Sequence, residues 1–208
     1  MPATRGDAVI PVDRLLQEIG FDTPDARALA RDALAAAGLT RPGKTGMSAG
    51  KRAAAEDALA TLLVRHCGDE RCIAWARTDQ ADRQPVQVSP AGCELCGGSN
   101  NRRAARLLLA TCRRRGVTRV LIVGGSPATA LELREMLPGL DVRVVEGNGR
   151  PDERRAAQDA AWAQVVVVWA TTILDHKLSQ LYTRGPHLTV ARRGVEALCD
   201  ELRIHLGG

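Results

Sequence analysis

Cys67 and Cys72 in CGDERC, followed further along by Cys93 and Cys96 in CELC, make two close pairs of thiols. Zinc takes four soft or borderline ligands in a tetrahedron, and two cysteine pairs on a folded-back chain supply that geometry without a large core. Gly68 and Gly97, each directly after a cysteine, suit the tight turns of such knuckles. Between the pairs, RCIAWAR and PVQVS are expected to form short ribbon strands, with charged and proline-containing sequence at the turn. Residues 67–98 are therefore expected to be a zinc ribbon. His66 is an alternative first ligand in place of Cys67. With every position filled by protein, the metal would be structural and not catalytic. The plain alternative is four unconnected thiols. Clustering of four of the six cysteines suits a metal site in a reducing compartment better than a disulfide framework.

Two further groups have the residue types for chemistry. In ATTILDHKLS, Asp175, His176, Lys177 and Ser179 lie within about one and a half helical turns. A histidine beside a carboxylate could act as acid or base, and a lysine could hold a phosphate oxygen, so Asp175, His176 and Lys177 are the catalytic candidates if the chain is an enzyme. A helix start is an ordinary place for such residues, and no further nucleophile or paired carboxylate is evident. Gly124, Gly125 and Ser126 in GGSP place backbone N–H groups at a helix start, where an anion could sit. With Glu146 and Asn148 they form a candidate site for a nucleotide or other phosphate-bearing ligand. GGSP is not a dinucleotide fingerprint, because the later glycines are missing.

GLTRPGKT, residues 38–45, matches the phosphate-loop pattern at Gly38, Gly43, Lys44 and Thr45. A phosphate loop needs a strand before it, whereas TPDARALARDALAAAGL has Thr23 as N-cap, Pro24 at the first helical position and alanine and leucine at helical spacing. Gly38 is expected to be a helix C-cap and Lys44 part of a basic connecting loop.

That loop belongs to the first of two basic clusters. Arg41, Lys44, Lys51 and Arg52 have no acid among them until Glu56, and the flanking helices faintly resemble the SAP-type DNA-binding hairpin. The second cluster lies in SNNRRAARLLLATCRRRG, a helix expected to be closed by Gly116. On a helical period Arg102, Arg106 and Arg113 share one side, with Arg103 and Arg114 adjacent and Ala104, Leu108 and Cys112 opposite. A zinc ribbon joined to such a helix would make a phosphate-backbone clamp. An ordinary solvated amphipathic helix is the alternative. The formal charge of +5 permits nucleic acid without requiring it, and the few aromatics (Phe21, Trp75, Trp162, Trp169 and Tyr182) argue against base-stacking platforms.

Residues 1–66 read as a helical module. From 99 onward the basic helix leads into an α/β domain, with strands VTRVLIVGG, DVRVVEG, QVVVVWA and HLTVA separated by helical sequence. This alternation predicts a parallel four-stranded sheet, compact and Rossmann-like, with any small ligand at the carboxyl ends of the strands. No apolar run approaches a membrane span, and MPATRGDAVIPVD lacks the order of a signal peptide, so a cytoplasmic protein is expected.

V-G-G after the first of these strands, and a histidine with nearby serine and lysine after the third, resemble an uncharacterised bacterial domain-of-unknown-function family with a compact Rossmann-like sheet. The resemblance covers about residues 117–200 and rests on Gly124, Gly125 and His176. It differs where Asp175, not serine, precedes the histidine. It implies the fold and no activity. The leading expectation is a zinc-containing nucleic-acid-binding accessory or regulatory protein, with DNA ahead of RNA as partner and the C-terminal domain sensing a ligand or mediating assembly with proteins or a second copy. A phosphate-ligand hydrolase and a pure assembly adaptor are the competing readings.

Overall fold

The computed structural model describes residues 8–147, 152–170 and 175–208. The chain divides into two compact units, Met1–Ser99 and Asn100–Gly208.

In the first unit a short strand, β1 (Val9–Pro11), runs directly into α1 (Val12–Glu18) and then α2 (Pro24–Ala36). Thr23 caps α2 by accepting the Ala26 N–H at 3.2 Å, and Pro24 occupies N1. Gly38, at φ +71°, ends the helix. Its N–H bonds Ala35 O and the Leu39 N–H bonds Leu34 O, both at 3.0 Å, which is a Schellman cap. GLTRPGKT therefore follows a helix and leads into a strand, β2 (Gly46–Ser48), paired antiparallel to β1. No phosphate loop is built there.

The helical sequence expected up to residue 66 stops short of it. α3 (Arg52–Leu62) stops where Leu63 turns extended, and β3 (Leu63–His66) follows. RCIAWAR is also helical, as part of α4 (Glu70–Thr78), and not a ribbon strand. Asp69 caps α4 by accepting the Arg71 N–H at 3.0 Å, Glu70 and Arg77 oppose the helix dipole, and Cys72 and Ala76 bury one face. β4 (Gln84–Gln87) then pairs parallel to β3, with Val86 opposite Arg65. Residues 63–87 form a strand-helix-strand unit, with a helix where the ribbon expected over 67–98 had its first strand. Phe21, Leu15, Leu16, Leu34, Met47, Leu59 and Val86 belong to the core of the whole N-terminal unit, each large side chain contributing about 1.5–3 kcal/mol on burial.

The second unit begins with α5 (Asn100–Arg115), closed by Gly116 at φ +67° with the Val117 N–H on Cys112 O at 2.9 Å. There follow β5 (Arg119–Val123), α6 (Pro127–Met136), β6 (Asp141–Val145), α7 (Glu153–Trp162), β7 (Val165–Trp169), α8 (His176–Tyr182), β8 (Leu188–Val190) and α9 (Val195–His205). All the strands pair parallel in the order β6-β5-β7-β8, so the expected four-stranded parallel sheet is present. Along β5, Val120 and Ile122 pack with α5, α6 and α9, while Leu121 and Val123 pack with α7 and α8. Burial on both faces is why these strands read as unbroken apolar runs. Cys112 and Cys199 lie in the first of these cores, where burial pushes the Cys199 thiol up to about 12. Among the described residues no helix is long and apolar enough to cross a membrane.

Candidate metal centre

The end of β3 delivers Cys67, the first turn of α4 delivers Cys72, and the chain after β4 delivers Cys93 and Cys96. Their sulfurs all lie within 4.8 Å of one another, with Cys67 and Cys96 3.6 Å apart. Thiolates at about 2.3 Å around a tetrahedral zinc would be about 3.8 Å apart along each edge. All four are free thiols, so the cluster is not a pair of disulfides. Four cysteine ligands complete a tetrahedron and leave no open position, the donor set of a structural site compatible with zinc.

The backbone is arranged for thiolates. Gly97, at φ +51°, turns the chain after Cys96, and the Gly98 N–H reaches the Cys96 sulfur at 3.4 Å. Burial pushes the Cys93 thiol up, opposed by backbone N–H groups of Cys96 and Leu95 that favour its charged form. The Cys72 thiol is raised too, by burial first and then by its neighbouring thiols. A divalent cation among them reverses this, because a coordinating thiol is deprotonated outright. His66, the alternative first ligand, stands outside the cluster: its Nδ1 accepts the Gly68 N–H at 3.3 Å, and burial and then the Arg77 charge favour its neutral form.

No family model, curated protein or solved structure matches the chain.

Gly92 precedes the Cys93 knuckle in a position that admits no side chain. A Cβ there would stand 2.6 Å from Gly20 O and 3.3 Å from Val88 Cγ2. Gly92→Ala is expected to destabilise the N-terminal unit by about 1–3 kcal/mol through overpacking, read as a lowered midpoint in thermal denaturation.

The other expected sites do not assemble as anticipated. In the turn after β5, the Gly124 N–H is already bonded to Val145 O at 2.8 Å, so it does not face an anion. Gly125, at φ +89°, lies over the buried Trp169 indole, whose ring carbons would be 3.4–3.5 Å from a Cβ there. Trp169 Nε1 donates to Arg192 O at 3.0 Å. The strand order reverses between β5 and β7, where a doubly wound sheet would bind a ligand, and here the indole packs beneath the turn. Ser126 caps α6, accepting the Thr129 N–H at 3.2 Å. Glu146 is exposed and borders a cavity of about 290 Å³ with Asp152, Arg155 and Tyr182, apart from Gly124, Gly125 and Ser126. Asn148, and with it Arg150 and Thr171, lies outside the described residues.

Asp175, His176 and Lys177 are each placed on or before α8 without a hydrogen bond to one another among the described residues. The Asp175 carboxylate caps α8 by accepting the Leu178 N–H at 3.0 Å, the His176 ring pairs with Gln180 of its own helix at 2.9 Å, and Lys177 is exposed. A feature with no expectation attached is the buried Asp159, which meets Arg143 at 3.2 Å. The Arg143 guanidinium stacks 3.8 Å over Trp162, and Tyr182 is raised by burial and then by Asp159.

Of the basic residues, Arg102, Arg106 and Arg113 are exposed on α5 and fall within a strip of about 40° at 100° per residue. Arg103, expected beside this strip, is instead buried at 7% exposed and already engaged within the protein. Arg114 is exposed and donates to Thr111 Oγ1 at 3.0 Å. In the first unit Lys44 and Lys51 are exposed, but Arg52 is held by Glu56 at 2.8 Å and Glu18 at 2.9 Å. The fold brings an acid from α1 to a cluster that looked acid-free in the sequence.

Proposed function

We propose that the protein is a metal-stabilised nucleic-acid-binding protein of accessory or regulatory type and not an enzyme. Zinc on Cys67, Cys72, Cys93 and Cys96 holds the N-terminal unit together, and the arginine strip of α5 contacts phosphates, DNA ahead of RNA. The observation that carries this reading is the closed cluster of four thiols, whose donor set leaves no position for a substrate. The nucleic-acid part is supported by Arg106 and Arg113, which are exposed and make no ion pair among the described residues. In this proposal the C-terminal sheet, with its likeness to the bacterial Rossmann-like family, scaffolds the strip and mediates assembly or senses a ligand, in the cytoplasm. The capped Asp175 and the Gly125–Trp169 packing favour a scaffold over a catalytic pocket.

The test is fluorescence anisotropy of labelled single-stranded DNA, duplex DNA and RNA with zinc-loaded protein over a salt series. Binding that weakens steeply with salt supports the reading and ranks the partner. No binding to any of the three at low salt rejects it.

A further inference from the structure

Glu94 lies inside the CELC knuckle, one residue after Cys93, and its contacts reach far from the cysteines. Both carboxylate oxygens accept from Arg83 Nη2, at 3.0 and 2.8 Å. One of them also accepts the Arg65 backbone N–H at 3.2 Å and lies 3.4 Å from Arg65 Nε. The Glu94 N–H donates in turn to Arg65 O at 3.0 Å. β3 has a single strand neighbour, β4, and a two-stranded sheet is marginal by itself. On the open side of β3, Glu94 satisfies both backbone groups of Arg65, and Arg83 donates to Leu63 O. The knuckle thus takes the place of a third strand.

Arg65 continues the chain of contacts. Its Nη1 donates to Ile19 O, and its guanidinium lies 5.1 Å from the Phe21 ring centroid, at the turn between α1 and α2. The three side chains are 15–23% exposed, so these ion pairs are weakly screened.

We infer that Glu94, Arg65 and Arg83 are positioning residues of the metal site, which hold Cys93 and Cys96 in their binding geometry and so set the affinity for the metal. This rests on the metal reading of the four thiols. Outer partners of this kind typically change metal affinity about ten- to a hundred-fold.

The test uses cobalt(II) as a spectroscopic probe on the full chain, with zinc competition to give affinities, for the wild type, Glu94→Gln and Arg83→Lys. Glu94→Gln keeps the shape and removes the charge; Arg83→Lys keeps the charge and loses the simultaneous hold on Glu94 and Leu63 O. The expected result is an unchanged tetrathiolate cobalt spectrum in both variants, with affinity about ten- to a hundred-fold lower in Glu94→Gln and a smaller loss in Arg83→Lys. A thermal midpoint that falls while affinity stays within about two-fold of wild type makes the brace merely structural and overturns the inference. If Glu94→Gln does not fold, Arg83→Lys decides by the same criterion. A wild type that takes up no cobalt rejects the metal reading, and the inference falls with it.

Discussion

Stripped of metal by a strong chelator, the N-terminal unit is expected to lose the fold of residues 63–98. The parts around the cluster are individually weak. β3 and β4 make a sheet of two four-residue strands, and α4 has nine residues, below the roughly 12–15 at which isolated helices become even marginal in water. Cys72, Cys93, Leu95 and Cys96 are buried but stand outside the apolar core, which takes only Leu63, Val86 and Val88 from this segment. In the proposed reading a shared metal joins them, beside the Glu94 contacts to Arg65 and Arg83. Structural zinc contributes on the order of 10–16 kcal/mol of apparent binding energy at neutral pH, against about 5–15 kcal/mol for the whole stability of an ordinary domain. Hydrogen exchange of the α4 amides and the fluorescence of Trp75, half-buried on that helix, are expected to change fully on chelation and recover on adding zinc. Cys72→Ser is expected to reproduce the chelated state without chelator. Identical melting with and without chelator, in protein shown to have been metal-loaded, would remove the structural role.

The cysteine pairs were legible because ligand spacing is a local property: a close pair on a turn looks the same whatever surrounds it. The caps at Gly38 and Gly116 were legible for the same reason, as was the strand-helix alternation of the second unit, whose two-sided burial leaves a continuous apolar signature in each strand. What failed depended on distant partners. LLVRH continues the pattern of α3, and only pairing with β4 makes it a strand. RCIAWAR carries Ile and Trp in alternation, which suggested a strand, while the Asp69 cap and the Glu70 and Arg77 charges were the helix signals to weigh against it. Arg103 differs from Arg102 by one position, about 100° of rotation, and it is buried although it points away from the apolar face of α5, which the helical period could not foretell. Glu94 reads as an ordinary surface acid in CELC; its partners Arg65 and Arg83 are 29 and 11 residues away, and no periodicity connects them.

Replacing Arg102, Arg106 and Arg113 together with alanine is expected to weaken nucleic-acid binding by roughly several hundred-fold near 0.1 M salt and to lower the salt slope by about three. The estimate follows from counterion release: each arginine that neutralises a phosphate of duplex DNA frees about 0.9 of a condensed ion, worth nearly ten-fold at that salt concentration. At 1.5 Å per residue, Arg102 and Arg113 stand about 16 Å apart along α5, a row long enough to follow several consecutive phosphates. Because such contacts position a protein without reading bases, the loss should be similar for unrelated sequences. Two controls separate binding from folding. Arg103→Ala removes a buried side chain and is expected to lower the thermal midpoint, whereas Arg52→Ala removes a charge already held by Glu18 and Glu56 and is expected to leave the slope nearly unchanged. If the folded triple variant binds with wild-type affinity and slope, the strip is a solvated helix face and the nucleic-acid reading loses its support.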